Sequence, residues 1–262
     1  MSNSALQVAR TGLDAQNTRM RVIANNLANV NTTGFKRDRA QFQTLAYQQI
    51  VQKGAQSDQI NQYAVGLSLG TGVEVAGTAR IETQGSLQNT GNALDLAIEG
   101  AGYFQLQMPD GTIGFTRAGN FSLTQQGQIV NSEGLPLFPQ IQVPQGVTGI
   151  TIGNDGIVSA TLAGQAEPSE LGRIEIANFV NNAGLQPLGN NLLQQTAASG
   201  PPLVGAAGIE GRGVLRQGAL EGSNVNIVEE LVDMIETQRA YEVNSKMISA
   251  TDEMLQFANQ NM

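Results

Sequence analysis

Residues 227–255, IVEELVDMIETQRAYEVNSKMISATDEML, place an apolar residue at every seventh position: Ile227, Met234, Tyr241, Ile248 and Leu255. Such a repeat keeps one seam of a helix turned toward a partner helix. Residues 223–262 contain neither Gly nor Pro, so nothing in them breaks a helix. Asn226 stands at the N-cap position with Glu229 three residues on, and Glu229, Glu230 and Asp233 complement the positive helix start. Glu242 precedes Lys246 by four residues, a favourable helical pair. The other end of the chain repeats the pattern with Leu6, Leu13, Met20 and Leu27, and Ile23 beside them. There Ser4-Ala5-Leu6-Gln7 reads as a capping box, and the run Asn29 to Gly34 ends the helix, because Asn and Gly accept the left-handed conformation.

The middle is composed differently. All 8 prolines lie between Pro109 and Pro202, and 29 of the 31 glycines lie between Gly54 and Gly222. Val73-Glu74-Val75 and Ile174-Glu175-Ile176 alternate as half-buried strands do, and Asp110-Gly111, Gln126-Gly127, Glu133-Gly134 and Asp155-Gly156 are hairpin turn dipeptides. Residues 36–50, with Phe42, Leu45 and Tyr47, are only weakly amphipathic, and the Gly-rich stretch 199–222 reads as a linker back to the last helix. The predicted fold class is α+β: coiled-coil-forming helices at the two ends flank a β-rich domain of short strands. The predicted segments are 1–46, 47–72, 73–222 and 223–262.

Composition removes whole classes of function. Cys, His and Trp are absent, which excludes Ser-His-Asp and Cys-His catalysis and zinc sites built on Cys or His. The net charge of −8 offers no basic footprint for nucleic acid. The longest basic cluster, Lys36-Arg37-Asp38-Arg39, is broken by an acid and is expected to be a solvated loop. No stretch reaches the roughly 20 apolar residues of a membrane span. Arg10 and Asp14 interrupt the start, so no cleaved secretory signal is expected.

Two apolar seams at opposite ends of one chain have two outlets. They can pair with each other in an antiparallel hairpin, or continue onto neighbouring molecules and form a bundle only on assembly. Contacts that do not close on themselves build open helical filaments. Periodicity does not choose between them.

Longer stretches carry a resemblance. Thr11-Gly12-Leu13-Asp14-Ala15-Gln16, followed by Ile23-Ala24-Asn25-Asn26-Leu27-Ala28-Asn29-Val30-Asn31-Thr32-Thr33-Gly34-Phe35-Lys36-Arg37, resembles the N-terminal signature of the bacterial flagellar rod and hook protein family. Glu221-Gly222-Ser223-Asn224-Val225-Asn226, leading through Met234 to Glu242, is similar to its C-terminal signature. Residues Asp95 to Phe104 and Phe115 to Phe121 resemble its β-domain core. The length and the segment from Tyr47 to Gly72 are most similar to the distal-rod members.

The resemblance implies a structural subunit, with no cofactor and no metal. It implies a rigid hollow helical tube built from copies of this chain, which transmits torque from motor to hook and forms part of an export channel. Its implied partners are other rod proteins, the hook protein, the L and P ring bushing, a rod-capping protein and the flagellar type III export apparatus. Neither nucleic acid nor membrane insertion is implied. The implied location is the basal body, spanning the periplasm to the outer membrane.

Expected assembly residues are Leu6, Leu13, Met20, Ile23, Leu27, Asn25, Asn26, Asn29, Ile227, Leu231, Met234, Tyr241, Ile248 and Leu255. Asn25, Asn26 and Asn29 either bridge helices or merely close the first one. A segment that stiffens the rod is expected at Gln52, Gly54, Ala55, Gln56, Ser57, Gly66, Leu69 and Gly70. The spacing Gly66-x-x-x-Gly70-x-Gly72 lacks the Lys-Ser/Thr ending of a phosphate loop and reads as a flexible turn. The alternatives are a proximal rod paralogue, a monomeric extracellular binding module, or a peptidoglycan hydrolase. The last needs two converging carboxylates, with Asp95, Glu99 and Asp110 as candidates.

Overall fold

The computed structural model describes residues 2–51, 65–162 and 167–260. It has an N-terminal helix, a β-rich centre and a C-terminal helix, an α+β chain. The backbone divides into two compact units. One comprises residues 1–28, 38–79 and 226–262; the other comprises 29–37 and 80–225.

In the first unit α1 (Ser2–Ala28) and α2 (Ile227–Gln260) lie antiparallel. The α1 helix starts two residues before the capping box at Ser4, so Ser4 is inside it. It stops at Ala28, where Thr32 N–H bonds the Asn29 carbonyl and the chain turns. Asn226 caps α2 as its position predicts, its Oδ1 accepting from Val228 N–H at 3.0 Å. Residues 36–50 supply strands: β1 (Asp38–Thr44) pairs with β4 (Val73–Arg80), and β2 (Tyr47–Val51) pairs antiparallel with β3 (Leu67–Gly70). The Gly66 to Gly72 stretch is therefore mostly strand and not the expected flexible turn, because its amides pair with Tyr47 to Val51.

The second unit is built on an antiparallel six-stranded sheet. Its order is β15 (Gln186–Gly189), β16 (Leu192–Gln194), β8 (Ile113–Thr116), β7 (Tyr103–Gln107), β14 (Glu175–Asn178), β17 (Leu203–Ala206). A three-stranded sheet joins β11 (Val147–Ile152), β12 (Ile157–Leu162) and β13 (Ser169–Arg173). Shorter pairs are β5 (Leu87–Asn89) with β19 (Ala219–Glu221), β6 (Leu96–Glu99) with β18 (Val214–Gln217), and β9 (Ser122–Leu123) with β10 (Ile129–Val130). Leu96, Ile98, Phe104, Leu106, Leu137, Ile174 and Ile176 form the centre of its core, all essentially inaccessible to water. The four predicted turn dipeptides each sit between paired segments, with the glycines at positive φ.

Residues 199–222 are not a linker. Three strands run through them, with Leu215, Ala219 and Glu221 buried. Their glycines serve close packing: a Cβ on Gly213 would lie 2.6 Å from the Glu99 carbonyl oxygen.

Candidate assembly surface

The helix pair is built inside out. Where α2 meets α1 it presents Glu230, Thr237 and Asn244; with Thr251 these make a polar heptad beside the apolar one, buried at Glu230 and Thr237 and half-buried at Asn244 and Thr251. Glu230 is 2% exposed and Thr237 fully buried, its hydroxyl bonded to the Asp233 carbonyl at 2.6 Å. Facing them on α1 are Ala9, Ala15, Ile23 and Asn26, all buried, with Gly12 close against Asn244. Val228, Val232, Ile235, Val243, Met254 and Phe257 fall within roughly a 100° arc at 100° per residue, on the far side of α2. All six are exposed, from 51% at Val232 to 71% at Phe257. Glu236, Arg239, Lys246 and Glu253 fall within the same arc, so the apolar residues stand in patches, with Val228, Val232 and Ile235 near one end of the helix and Met254 and Phe257 near the other.

The expected seam residues are unevenly covered. Leu6, Leu13, Met20 and Leu27 are half-buried and Ile23 is buried. Met234 and Ile248 are half-buried, while Ile227, Leu231 and Tyr241 are exposed. Leu255 lies on α2 with its side chain outside those described. The three asparagines divide by role. Asn25 is exposed, Asn29 accepts from the Thr32 hydroxyl at 3.1 Å and so closes the turn, and Asn26 bridges α1, β1 and α2.

The paired strands of the same unit also turn apolar groups to solvent: Tyr47, Ile50, Val65, Leu67 and Leu69 are exposed. A two-stranded ribbon is marginal alone, and among the described residues these side chains are left exposed. Of the expected stiffening residues, Gly66 is half-buried and Leu69 and Gly70 are exposed on β3. Gln52, Gly54, Ala55, Gln56 and Ser57 lie outside the described residues.

The second unit holds a buried ion cluster that sequence reading missed. Lys36 is not a solvated loop residue. Its Nζ donates to Glu221 Oε1 at 2.6 Å and to the Thr83 carbonyl at 2.8 Å. Arg117 Nε donates to Glu221 Oε2 at 2.5 Å, and its terminal nitrogens bond the carbonyls of Gly102, Ile98 and Gly100. Glu221 also accepts from Gly85 N–H, so its buried carboxylate is fully engaged. Burial alone would raise the Glu221 carboxyl, but Arg117 and then Lys36 hold it below the ordinary carboxylate value. Burial pulls the Lys36 ammonium below its usual value despite Glu221. Gly34 N–H bonds the Glu221 carbonyl, and only glycine fits there: φ is +69° and a Cβ would lie 2.6 Å from Arg117 C. Asn224 Nδ2 donates to the carbonyls of Ile81 and Thr83, while its Oδ1 accepts from Arg37 N–H. One ion from each of the three resemblance stretches meets here, which was the available signal.

The carboxylates considered for hydrolysis are each engaged locally. Asp95 accepts from Thr90 and Asn92, Asp110 accepts from Thr112, and Glu99 lies 3.8 Å from Arg216. Among the described residues no cluster of acidic side chains could hold a metal ion, and no helix is long and apolar enough to cross a membrane.

Polar groups turned inward and apolar groups turned outward along a terminal helix define a class: a building block whose surface is completed by other molecules. Comparison with known proteins specifies it. Residues 6–36 match the profile described as flagella basal body rod protein, residues 97–160 the flagellar hook protein FlgE/F/G D1 domain, and residues 216–261 the flagellar basal body rod FlgEFG protein C-terminal. The chain is 52% identical to the flagellar basal-body rod protein FlgG of Buchnera aphidicola from Acyrthosiphon pisum, over 98% of both chains. It is 46% identical to that of Agrobacterium fabrum, covering 98% of this chain and 99% of the relative, and 37% identical to that of Bacillus subtilis over 94% of both. The chain belongs to the flagellar basal-body rod protein family. It is a structural subunit of the distal rod in the flagellum basal body.

Proposed function

We propose that copies of this chain polymerise through the outward stripe of α2, forming a rigid hollow helical tube that carries torque from motor to hook and encloses part of the export channel. The observation that carries this reading is the exposure of Val228, Val232, Ile235, Val243, Met254 and Phe257 on a helix whose polar side is already covered. Burying each such side chain contributes on the order of 1.5–3 kcal/mol, so a few of them outweigh the cost of ordering a subunit in a lattice. The terminal helices then form coiled-coil-like contacts with those of neighbouring copies.

In this reading segments 1–46 and 223–262 assemble, 73–222 forms the outer β domain, and 47–72 braces adjacent subunits. Among the described residues Tyr47, Ile50, Leu67 and Leu69 are exposed, which supports the bracing role, because apolar side chains left in water can gain a core from another molecule. The assembly meets other rod and hook components, the L and P rings and a rod cap, after export through the type III apparatus without signal cleavage, and it spans the periplasm.

Hydrogen exchange in the purified subunit and in isolated basal bodies tests the proposal. The amides of residues 228–257 are expected to gain further protection on assembly, beyond what the α1–α2 pair gives the free subunit, while those of 96–106 are already at full protection in the free subunit. Equal protection of 228–257 in both states would overturn the polymer contact and return the chain to a self-contained helical hairpin.

A further inference from the structure

The apolar seams that the sequence advertises cannot by themselves tell α1 which side of α2 to grip. The α2 helix carries apolar residues on almost every face, and over its first turns the outward Val228, Val232 and Ile235 are more hydrophobic than Glu230, Asp233 and Thr237 on the side that α1 covers. Burial of apolar surface would turn Val228, Val232 and Ile235 inward. Something more directional holds the polar side in.

Asn26 has the required geometry. Its Oδ1 accepts from Asp38 N–H at 3.0 Å, and its Nδ2 donates to the Asp38 carbonyl at 2.9 Å. The same Nδ2 donates to the Glu230 carboxylate at 3.3 and 3.2 Å. Both side chains are only 2% exposed. One amide therefore ties α1 to the first residue of β1 by a reciprocal pair and to the first turns of α2 by a charge-assisted bond. If α2 rotated, Asn26 would keep its two bonds to Asp38, but the second hydrogen of its Nδ2 would lose its acceptor inside the pair. A buried polar group left unpaired costs about 1–3 kcal/mol. Burying one polar residue to specify a helix pairing, at some loss of stability, is an attested device.

We propose that Asn26 is the positioning residue that selects the face of α2 packed on α1, and so keeps the apolar stripe of α2 outward. Further along the pair, Arg19 Nη2 to Asp233 Oδ1 at 3.3 Å and the fit of Gly12 against Asn244 follow the same alignment. The value of this choice for assembly rests on the polymer reading above; the face selection itself does not.

The absence of cysteine makes the test direct. A Cβ at position 12 would lie 3.6 Å from Asn244 Cγ, so Gly12→Cys with Asn244→Cys reports the observed face. Gly12→Cys with Val243→Cys reports a rotated helix, since neighbouring residues point about 100° apart. Under mild oxidation of dilute monomer, the 12–244 disulfide is expected to exceed 12–243 at least tenfold in the parent chain. With Asn26→Leu added, that ratio should fall at least tenfold while circular dichroism still reports the helices. A parent-like ratio in a helical Asn26→Leu chain overturns the proposal. If Asn26→Leu loses its helices, Asn26→Ala is read in its place against the same two expectations. Loss of helix in both variants also overturns it, because Asn26 would then be needed for forming the pair and not for choosing its face. Glu230→Gln keeps the hydrogen bond and should keep the parent ratio. If the face ratios come out as expected but rods do not form, the polymer reading fails and the face selection stands.

Discussion

The two units of this chain differ in what they leave exposed. The β unit hides Phe104, Leu106, Ile98 and their neighbours, and it surrounds the buried carboxylate of Glu221 with two cations and a backbone amide. The helix unit hides Glu230, Thr237 and Asn26 and leaves Val228, Ile235 and Phe257 in water. The first satisfies itself, and in the polymer reading the second is satisfied by its neighbours. In that reading one chain carries both a finished domain and a surface reserved for neighbours, and disturbing the two should have different consequences.

The largest effect is expected in the self-sufficient unit. Glu221→Gln removes the anion that bonds both Lys36 and Arg117, two cations that are nearly inaccessible. Breaking a buried pair from one side costs about 3–5 kcal/mol, so urea titration should show a loss of that size. The pH dependence follows the sign of the Glu221 shift. Its folded value lies below its ordinary 4.5, so its contribution is complete above that ordinary value and is lost as pH falls through the folded one. The acid limb of the stability profile should therefore be shallower in Glu221→Gln. A variant as stable as the parent would mean that the cluster does not hold this unit together, and the contrast would fail on its stronger side.

On the other side, Ile235→Asp alters an exposed residue and should change monomer stability by no more than about 0.5 kcal/mol. In the polymer reading it should weaken association by about 1.5–3 kcal/mol at each interface that buries this side chain, roughly tenfold to a hundredfold. Sedimentation at matched concentrations reads association, and thermal melting reads the monomer. A monomer that melts well below the parent would show that the outward stripe is packed within the free subunit.

How much of this was legible beforehand depends on whether the information is local. Asn226 announced its helix because a cap is read two residues away, and the hairpins showed because Gly after Asp, Gln or Glu is a local preference. The stop at Ala28 was equally local. The face of α2 was not legible. The polar heptad Glu230, Thr237, Asn244 and Thr251 runs beside the apolar one at the same period, and a repeat does not say which of two stripes meets the partner. The ion cluster was hidden for a topological reason: Glu221 lies 185 positions from Lys36 and 104 from Arg117. Lys36 looked solvated because its neighbours are charged, and Glu221 fell at the end of the Gly-rich stretch that reads as a linker.

A smaller effect sharpens the boundary of the helix unit. Asn226→Ala removes the acceptor for Val228 N–H and should cost about 1 kcal/mol. Exchange should rise at the first turn of α2, with the protection of Phe104 and Leu106 unchanged if the two units open independently.

The smallest effect is the most discriminating, because it sets one kind of ion pair against another. Arg19 and Asp233 join α1 to α2 at 3.3 Å, yet their side chains remain 37% and 41% exposed. Water competes for both, so a double-mutant cycle with Arg19→Ala and Asp233→Ala should give a coupling of about 0.2–1 kcal/mol. Screening at 1 M salt, where the Debye length is about 3 Å, should remove most of it. The penalty of Glu221→Gln should barely respond to the same salt, since water and ions do not reach that cluster. A salt-resistant Arg19–Asp233 coupling above about 2 kcal/mol would mean that the polar centre of the helix pair is as well insulated as the core of the β unit. The helices would then hold each other firmly without neighbours, and the division between a finished unit and an unfinished one would not stand.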